Sequence, residues 1–147
     1  DLVAPHPEGL GACRSIQNSL KMAGLNPDQI GLINCHGTST PVGDQAECLA
    51  INHAFGPDLA TTIPVHSTKS MIGHLIGAAG AVEAIAVIMA FEKGIIHKSR
   101  NVFNQDPKIN LNVLRENGDG RKVNHILSNA FGFGGHNASL ILSRFSK

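Results

Sequence analysis

The feature that most restricts the fold is a short apolar run at residues 30–35, with the sequence Ile-Gly-Leu-Ile-Asn-Cys. The run is too compact for a helix and is bounded by turn residues, which is typical of a buried parallel strand. A second short run at residues 63–66 also predicts a strand. Because helical patterns alternate with these strands, the sequence predicts an α/β fold.

Three segments predict helices, at residues 9–23, 44–55 and 76–93. The second has a variant capping box, in which Asp44 caps the helix and Glu47 follows three residues later. The third begins with small residues at 77–81, which would allow close approach of a neighbouring backbone in a buried setting.

The rest of the chain predicts further strands at residues 95–96, 123–128 and 138–142, and an irregular segment at 101–120. The order of elements predicts a mixed, mostly parallel sheet with flanking helices and an antiparallel edge. Right-handed crossovers start from a strand, whereas this order opens with a helix. We therefore expect the unit to lack its first strand.

Composition narrows the possible functions. The 147 residues predict one domain over 1–147, with twelve basic against eleven acidic side chains and no basic run. This balance argues against nucleic acid as a partner, and no apolar stretch is long enough to span a membrane comfortably. Three cysteines without paired spacing favour a soluble protein of a reducing compartment, either cytoplasm or an organelle matrix.

Two histidines stand out as candidate site residues, because His36 and His74 each lie on a glycine-rich loop after a predicted strand. Open α/β sheets gather ligands at the carboxyl ends of their strands. A single loop histidine is more often structural, but two on neighbouring strand ends can donate hydrogen bonds to one developing oxyanion.

Three sequence blocks carry a specific resemblance. They are His-Gly-Thr-Ser-Thr-Pro-Val-Gly-Asp at 36–44, Lys-Ser-Met-Ile-Gly-His-Leu-Ile-Gly-Ala-Ala-Gly at 69–80, and Ser-Asn-Ala-Phe-Gly-Phe-Gly-Gly at 128–135. In order and spacing they resemble the β-ketoacyl-acyl-carrier-protein synthases, acyltransferases of the thiolase-like fold, over its C-terminal half. A histidine in each of the first two blocks resembles the elongating Cys-His-His enzymes.

The resemblance implies a decarboxylative Claisen condensation of an acyl thioester with malonyl-carrier protein in fatty-acid elongation. His36 and His74 match the histidines that bind the malonyl thioester carbonyl, and Lys69 matches a fixed positive charge beside them. The family's nucleophilic cysteine belongs to the N-terminal half. This chain is therefore expected to supply the decarboxylation half-site and not to condense alone.

The resemblance also assigns supporting residues. Glu83, Asp44 and Glu47 are expected to form the acidic network around Lys69, and Thr38 and Thr40 to bind the amides of pantetheine. In the last block, the Phe133 N–H is expected to complete an oxyanion hole and its ring to gate the acyl pocket. Gly132 and Gly134 would permit that turn, whereas Phe131 is equally compatible with core packing and a site role.

Several partners follow from the same resemblance. They are the acyl carrier protein, malonyl and acyl thioesters, the N-terminal half and a second copy in a homodimer. No resident cofactor is implied, because phosphopantetheine arrives on the carrier protein.

Three alternatives stay open at this stage. The chain could be a non-catalytic domain that docks a carrier protein or a partner half, or a fragment of a polyketide-type ketosynthase. A metal site built from Cys35, His36, His66 and His74 is weaker, since these residues lack the usual ligand spacing.

Overall fold

The computed structural model describes residues 5–145. The helices are α1 Leu10–Ala23, α2 Pro41–Phe55, α3 Pro57–Ala60, α4 Lys69–Ile72 and α5 Ala79–Lys93. The strands are β1 Leu32–Asn34, β2 Pro64–His66, β3 Ile95–Ile96, β4 Asn112–Val113, β5 Gly118–Asp119, β6 His125–Phe131 and β7 Asn137–Ser143. Short 3₁₀ turns lie at Pro27–Gln29, Ile76–Ala78, Gly120–Lys122 and Phe133–Gly135.

The main sheet has the strand order β4-β2-β1-β6-β7. Its first four strands are parallel, and β7 runs antiparallel to β6 at the edge. Ile33 in the central strand pairs with Val65 of β2 and Leu127 of β6. The predicted mixed, mostly parallel sheet with an antiparallel edge is confirmed.

Helices cover both faces of β1. Successive side chains of a strand point to opposite faces, and Leu32 and Ile33 are both fully buried. Ile33 packs with Ile16 of α1 and Ile51 of α2, whereas Leu32 packs with Val87 of α5. This two-sided burial explains why the run at 30–35 is nearly continuous in apolar residues.

The start of α2 differs from the prediction. The helix begins at Pro41, with Thr40 in the N-cap position, so Asp44 lies within the first turn and does not cap. Proline suits the first helical position because its fixed φ matches the helix and its missing N–H would have no partner there. The Asp44 carboxylate instead accepts the Ser39 N–H at 3.2 Å.

The prediction of a buried third helix is also partly wrong. The α-helix begins at Ala79, after a 3₁₀ turn, and buries one side only. Gly77 has no close neighbour, and a Cβ at Gly80 would meet the side chain of Ala130 at ordinary van der Waals distance. Because the helix is apolar almost all round, its exposed side carries the apolar residues Ile85, Ile88 and Met89.

The sequence predicts an irregular segment at 101–120, and this is partly wrong, because the segment contributes β4 to the main sheet and β5 to a ribbon with β3. Each of these strands has two residues, too few for a periodic pattern. Within residues 5–145, no helix combines the length and apolarity needed to cross a membrane.

We expect Gly9→Ala to destabilise the protein more than Gly24→Ala. Both glycines flank α1 with a φ of +65°, a left-handed conformation that costs other residues about 1–2 kcal/mol. A Cβ at Gly9 would also overlap the Ala46 carbonyl oxygen of α2, whereas Gly24 faces open space. Overpacking should add at least about 1–3 kcal/mol at Gly9. Denaturant unfolding measures both, and equal losses would contradict the close α1–α2 contact.

Candidate active site

The carboxyl ends of three parallel strands bring the three sequence blocks together. His36 follows β1, Lys69 and His74 follow β2, and Phe131 ends β6. Because β1 lies between β2 and β6, the three loops share one edge of the sheet. The blocks start at residues 36, 69 and 128, and the fold thereby joins them in one site.

The two histidines lie side by side. The ring centroids of His36 and His74 are 5.6 Å apart, with the rings at 86° to each other. The Phe131 ring lies 5.8 Å from that of His36 on a tilted plane. The structure therefore brings together the predicted histidine pair and one of the two predicted phenylalanines.

Backbone amides fix the proton positions on both imidazoles. The Phe131 N–H donates to Nδ1 of His36 at 3.3 Å, and the Ile76 N–H donates to Nδ1 of His74 at 3.1 Å. A backbone N–H can only donate, so each Nδ1 is an acceptor and each neutral ring carries its proton on Nε2. Both rings thus present an Nε2–H donor.

The contact to His74 comes from a strained backbone. Ile76 has a φ of +51°, and a β-branched residue rarely adopts this left-handed conformation. Such strain costs about 1–3 kcal/mol and concentrates at functional sites. The strained turn directs the Ile76 N–H onto the imidazole.

The environment also keeps His36 uncharged. Burial lowers the pKa of His36 to about 4, assisted by the positive charge of Lys69 and by His74. Desolvation disfavours the charged imidazolium, and a nearby cation adds to that effect. At neutral pH, His36 is therefore a neutral hydrogen-bond donor.

Lys69 and Glu83 form a buried ion pair. Nζ of Lys69 lies 2.5 Å from Oε1 of Glu83, and the two side chains are 5% and 2% exposed. The expected partnership with Glu83 is thus found, and it accounts for a carboxylate within an apolar helix. The prediction that Glu47 and Asp44 also lie around Lys69 is wrong, because each of these carboxylates accepts backbone N–H groups elsewhere.

Asn34 connects this ion pair to the sheet. Its Nδ2 donates to Oε2 of Glu83 and to Oγ of Ser128, each at 3.0 Å. Its Oδ1 accepts from the N–H and the hydroxyl of Thr68 at 3.1 and 2.8 Å. Sequence reasoning missed Asn34, Thr68 and Ser128. The available signal was an asparagine inside an otherwise apolar buried strand, since a buried amide requires partners.

Glu47 shapes the loop that carries His36. Its carboxylate accepts the N–H groups of His36 and Gly37 at 2.9 Å each, and Nδ2 of Asn129 at 3.1 Å. Burial raises the pKa of Glu47, while the three donors oppose that rise. Glu47 therefore supports the site through the backbone and does not contact Lys69.

A cavity of about 650 Å³ opens beside the histidine pair. Its lining includes Thr38, Thr40, Lys69 and His74. The hydroxyls of Thr38 and Thr40 lie 3.2 Å apart. Two hydroxyls on one wall can donate to or accept from the amides of an extended ligand.

The last block forms the tight turn between β6 and β7. Gly134 has a φ of +70°, which only glycine adopts easily, whereas Gly132 is extended at −119° and does not need to be glycine for its backbone angles. Phe131 packs against the core, and its backbone N–H binds His36. Phe133 is 77% exposed.

The metal alternative finds no support in the geometry. Within residues 5–145, no three His, Cys, Asp or Glu side chains are placed to hold a metal ion. His66 stacks on His97 instead of joining His36 and His74. Cys35 is buried, and burial raises its pKa well above the usual value, which makes it a poor nucleophile.

Residues 1–103 match the family model for the β-ketoacyl synthase C-terminal domain. The chain belongs to the β-ketoacyl synthase family. The chain is 43% identical to the chloroplastic 3-oxoacyl-[acyl-carrier-protein] synthase II of Arabidopsis thaliana, over 98% of this chain and 26% of that protein. It is also 43% identical to the 3-oxoacyl-[acyl-carrier-protein] synthase 2 of Synechocystis sp., over 98% of this chain and 34% of that protein. The family predicted from the three blocks is confirmed.

Solved ketosynthases have the same fold. One structure, a type II polyketide synthase acyl-carrier protein in complex with its ketosynthase, superposes with a TM-score of 0.92 at 28% identity. The match covers 99% of this chain and 35% of that one. The predicted thiolase-like fold is confirmed, and the chain spans about a quarter to a third of the length of the relatives it matches.

We expect Glu83→Gln to cost about 3–5 kcal/mol of unfolding free energy, because it leaves the buried Lys69 ammonium without a counter-charge. The double variant Lys69→Met with Glu83→Leu should recover much of that loss, since an apolar pair of similar volume avoids desolvating two charges. Glu92→Gln, at the exposed end of the same helix, is the control. A single Glu83→Gln variant as stable as this control would contradict the ion pair's role.

Proposed function

We propose that this chain is the C-terminal half-site of an elongating β-ketoacyl-acyl-carrier-protein synthase, and that it catalyses decarboxylation of a malonyl thioester before a Claisen condensation. The observation that carries the proposal is the pair of neutral imidazoles, each with Nδ1 bound to a backbone amide and Nε2–H available. Two relatives that are each 43% identical and named as such synthases support it.

In the proposed step, Nε2–H of His36 and of His74 donates to the malonyl thioester carbonyl oxygen. The bond between the malonyl α-carbon and its carboxylate breaks, carbon dioxide leaves, and the electron pair forms an enolate on that oxygen. Donors fixed in place before reaction stabilise such a charge by about 3–4 kcal/mol each. Lys69 adds a fixed positive charge that its pairing with Glu83 holds in place.

The enolate carbon then attacks an acyl thioester held on a cysteine, and the cysteine sulfur leaves as thiolate. We assign that cysteine to the N-terminal half. Within this chain, Cys35 adjoins His36, but burial raises its pKa and disfavours the thiolate. The Phe133 N–H is proposed as an oxyanion donor for this second step, with its exposed ring as the gate and the left-handed Gly134 permitting the turn.

The pantetheine arm is proposed to enter through the cavity beside the histidine pair. Thr38 and Thr40 line that cavity and would bind the amides of the arm. The arm arrives on an acyl carrier protein as part of the substrate, so no resident cofactor is proposed. The solved complex of a ketosynthase with its carrier protein supports this partner.

The N-terminal half is proposed to cover the exposed side of α5. Ile85, Ile88 and Met89 form an apolar stripe there, and Leu75 and Ile76 lie exposed just before the helix. Exposed apolar patches of this kind mark interaction surfaces. The match covers only 26% and 34% of two relatives, and the rest of their sequence can supply the cover. We also propose that the completed protein forms a homodimer.

The three cysteines fit a reducing compartment, which we propose as the protein's location. Cys13, Cys35 and Cys48 are each buried and free. Free thiols persist where glutathione and thioredoxin keep cysteines reduced.

In the complete synthase, we expect His36→Ala and His74→Ala each to slow malonyl-carrier-protein decarboxylation about 10²–10³-fold, because each removes one enolate donor. Release of carbon dioxide from labelled malonyl-carrier protein measures the rate. His53→Ala is the matched control, because His53 is exposed on α2 away from the site.

Full decarboxylation by both variants, together with unchanged carrier-protein binding, would contradict the catalytic proposal and favour a docking domain. The 147-residue chain alone is expected to give no condensation product. Robust condensation by this chain without the N-terminal half would contradict the division of the site between two halves.

A further inference from the structure

A second histidine pair lies behind the site. His97 follows β3 and stacks on His66 of β2, with ring centroids 4.0 Å apart and planes at 30°. His66 is 3% exposed, whereas His97 is half-buried. His66 also lines the cavity beside the site histidines, and Nε2 of His97 lies 3.0 Å from the hydroxyl of Thr68, which binds Asn34.

The orientation of Asn34 is fixed by groups that can act in one way only. The Glu83 carboxylate can only accept, so Nδ2 of Asn34 faces it, and the Thr68 N–H can only donate, so Oδ1 faces Thr68. The Thr68 hydroxyl, 2.8 Å from that same oxygen, must therefore donate its proton to Asn34.

The protons of His97 follow from this assignment. Because the Thr68 hydroxyl proton is committed to Asn34, its oxygen accepts from His97, and Nε2 of His97 must carry a proton. Nδ1 of His97 lies 3.0 Å from the Lys98 carbonyl, which can only accept, so Nδ1 must carry a proton as well. The hydrogen bonds that link Lys98, His97, Thr68 and Asn34 are all satisfied only when His97 is an imidazolium.

His66 fits a charged neighbour. Its Nδ1–H donates to the His97 carbonyl at 2.7 Å, and its buried Nε2 has no hydrogen-bond partner within residues 5–145. His66 is therefore a neutral ring lying flat against His97. Burial lowers the pKa of His66 to about 3, and the charge on His97 contributes.

We propose that His97 is a positioning residue for the malonyl decarboxylation step, acting as an imidazolium through Thr68 and Asn34 on the Glu83–Lys69 pair. The proposal rests on the proposed function. Because His97 donates to the Thr68 hydroxyl oxygen, the Thr68 hydroxyl proton can bind Asn34. The N–H and the hydroxyl of Thr68 then fill both acceptor positions of Asn34 Oδ1. Asn34 is thereby held with its amide on Glu83, which fixes the Lys69 ammonium beside His36.

Without a proton on Nε2 of His97, the hydrogen bonds from His97 through Thr68 to Asn34 cannot all form. If the ring keeps Nδ1–H on Lys98, the Thr68 hydroxyl must turn and donate to Nε2, and Asn34 loses one of its two donors. Several titratable and charged groups surround these hydrogen bonds. They are His66 from β2, Lys98 beside the His97 ring, and Lys69 with Glu83 beyond Asn34. Among these, His97 is the histidine whose two ring nitrogens both face hydrogen-bond acceptors.

The test uses the complete synthase and two variants of unlike chemistry. His97→Gln retains a donor for Thr68 that does not titrate, whereas His97→Met has none. We expect the Met variant to lose about fivefold in the rate constant for malonyl-carrier-protein decarboxylation at neutral pH, the size of one hydrogen bond. The Gln variant should keep most of the rate, because its side-chain amide can still donate to the Thr68 hydroxyl oxygen. His53→Gln is the matched control.

Ring ¹⁵N chemical shifts provide a readout that does not depend on turnover. We expect both nitrogens of His97 to be protonated at pH 7. An unprotonated ring nitrogen there would overturn the proposal, and so would a Met variant with the decarboxylation rate of wild type. A wild-type synthase that releases no carbon dioxide would instead overturn the proposed function, which separates the two failures.

Discussion

The buried amide of Asn34 is the contact on which the site depends. It lies in the central strand and joins the ion pair of Lys69 and Glu83 to Thr68 and Ser128, so one side chain connects β1, α4, α5 and β6. A buried ion pair is costly unless further hydrogen bonds complete it. Because Asn34 satisfies the second oxygen of Glu83, the chain can keep a fixed charge beneath the histidines.

Backbone geometry, more than side-chain chemistry, determines what the two imidazoles can do. The amides of Phe131 and Ile76 occupy Nδ1 of each ring, and the carboxylate of Glu47 holds the loop that carries His36. The loop after β2, which carries Ile76, and the end of β6, which carries Phe131, must therefore both be in place. The site is therefore a property of the folded sheet edge.

The sequence predicted those features that depend on local pattern. The helix at α1, the buried strand at residues 30–35, the antiparallel edge and the family all came from periodicity or from contiguous motifs. Long-range placement was harder. The capping-box pattern misassigned Asp44, and the expected acidic network placed Glu47 near Lys69. A carboxylate in the sequence can serve as a helix cap, an ion-pair partner or an acceptor for loop amides, and local pattern does not distinguish these roles. The role of Asn34 depends on Glu83 and Ser128, which are 49 and 94 residues away.

The central claim is that both site histidines are neutral Nε2–H donors held by backbone amides, and ring ¹⁵N NMR of the complete protein tests it directly. At pH 7, we expect Nε2 of His36 and His74 to be protonated and Nδ1 to be unprotonated. Because the pKa of His36 is lowered to about 4, its ring should remain neutral as the pH falls through 6.5 and should gain a proton only near pH 4. An Nδ1–H tautomer, or an imidazolium at His36 at pH 7, would contradict the account.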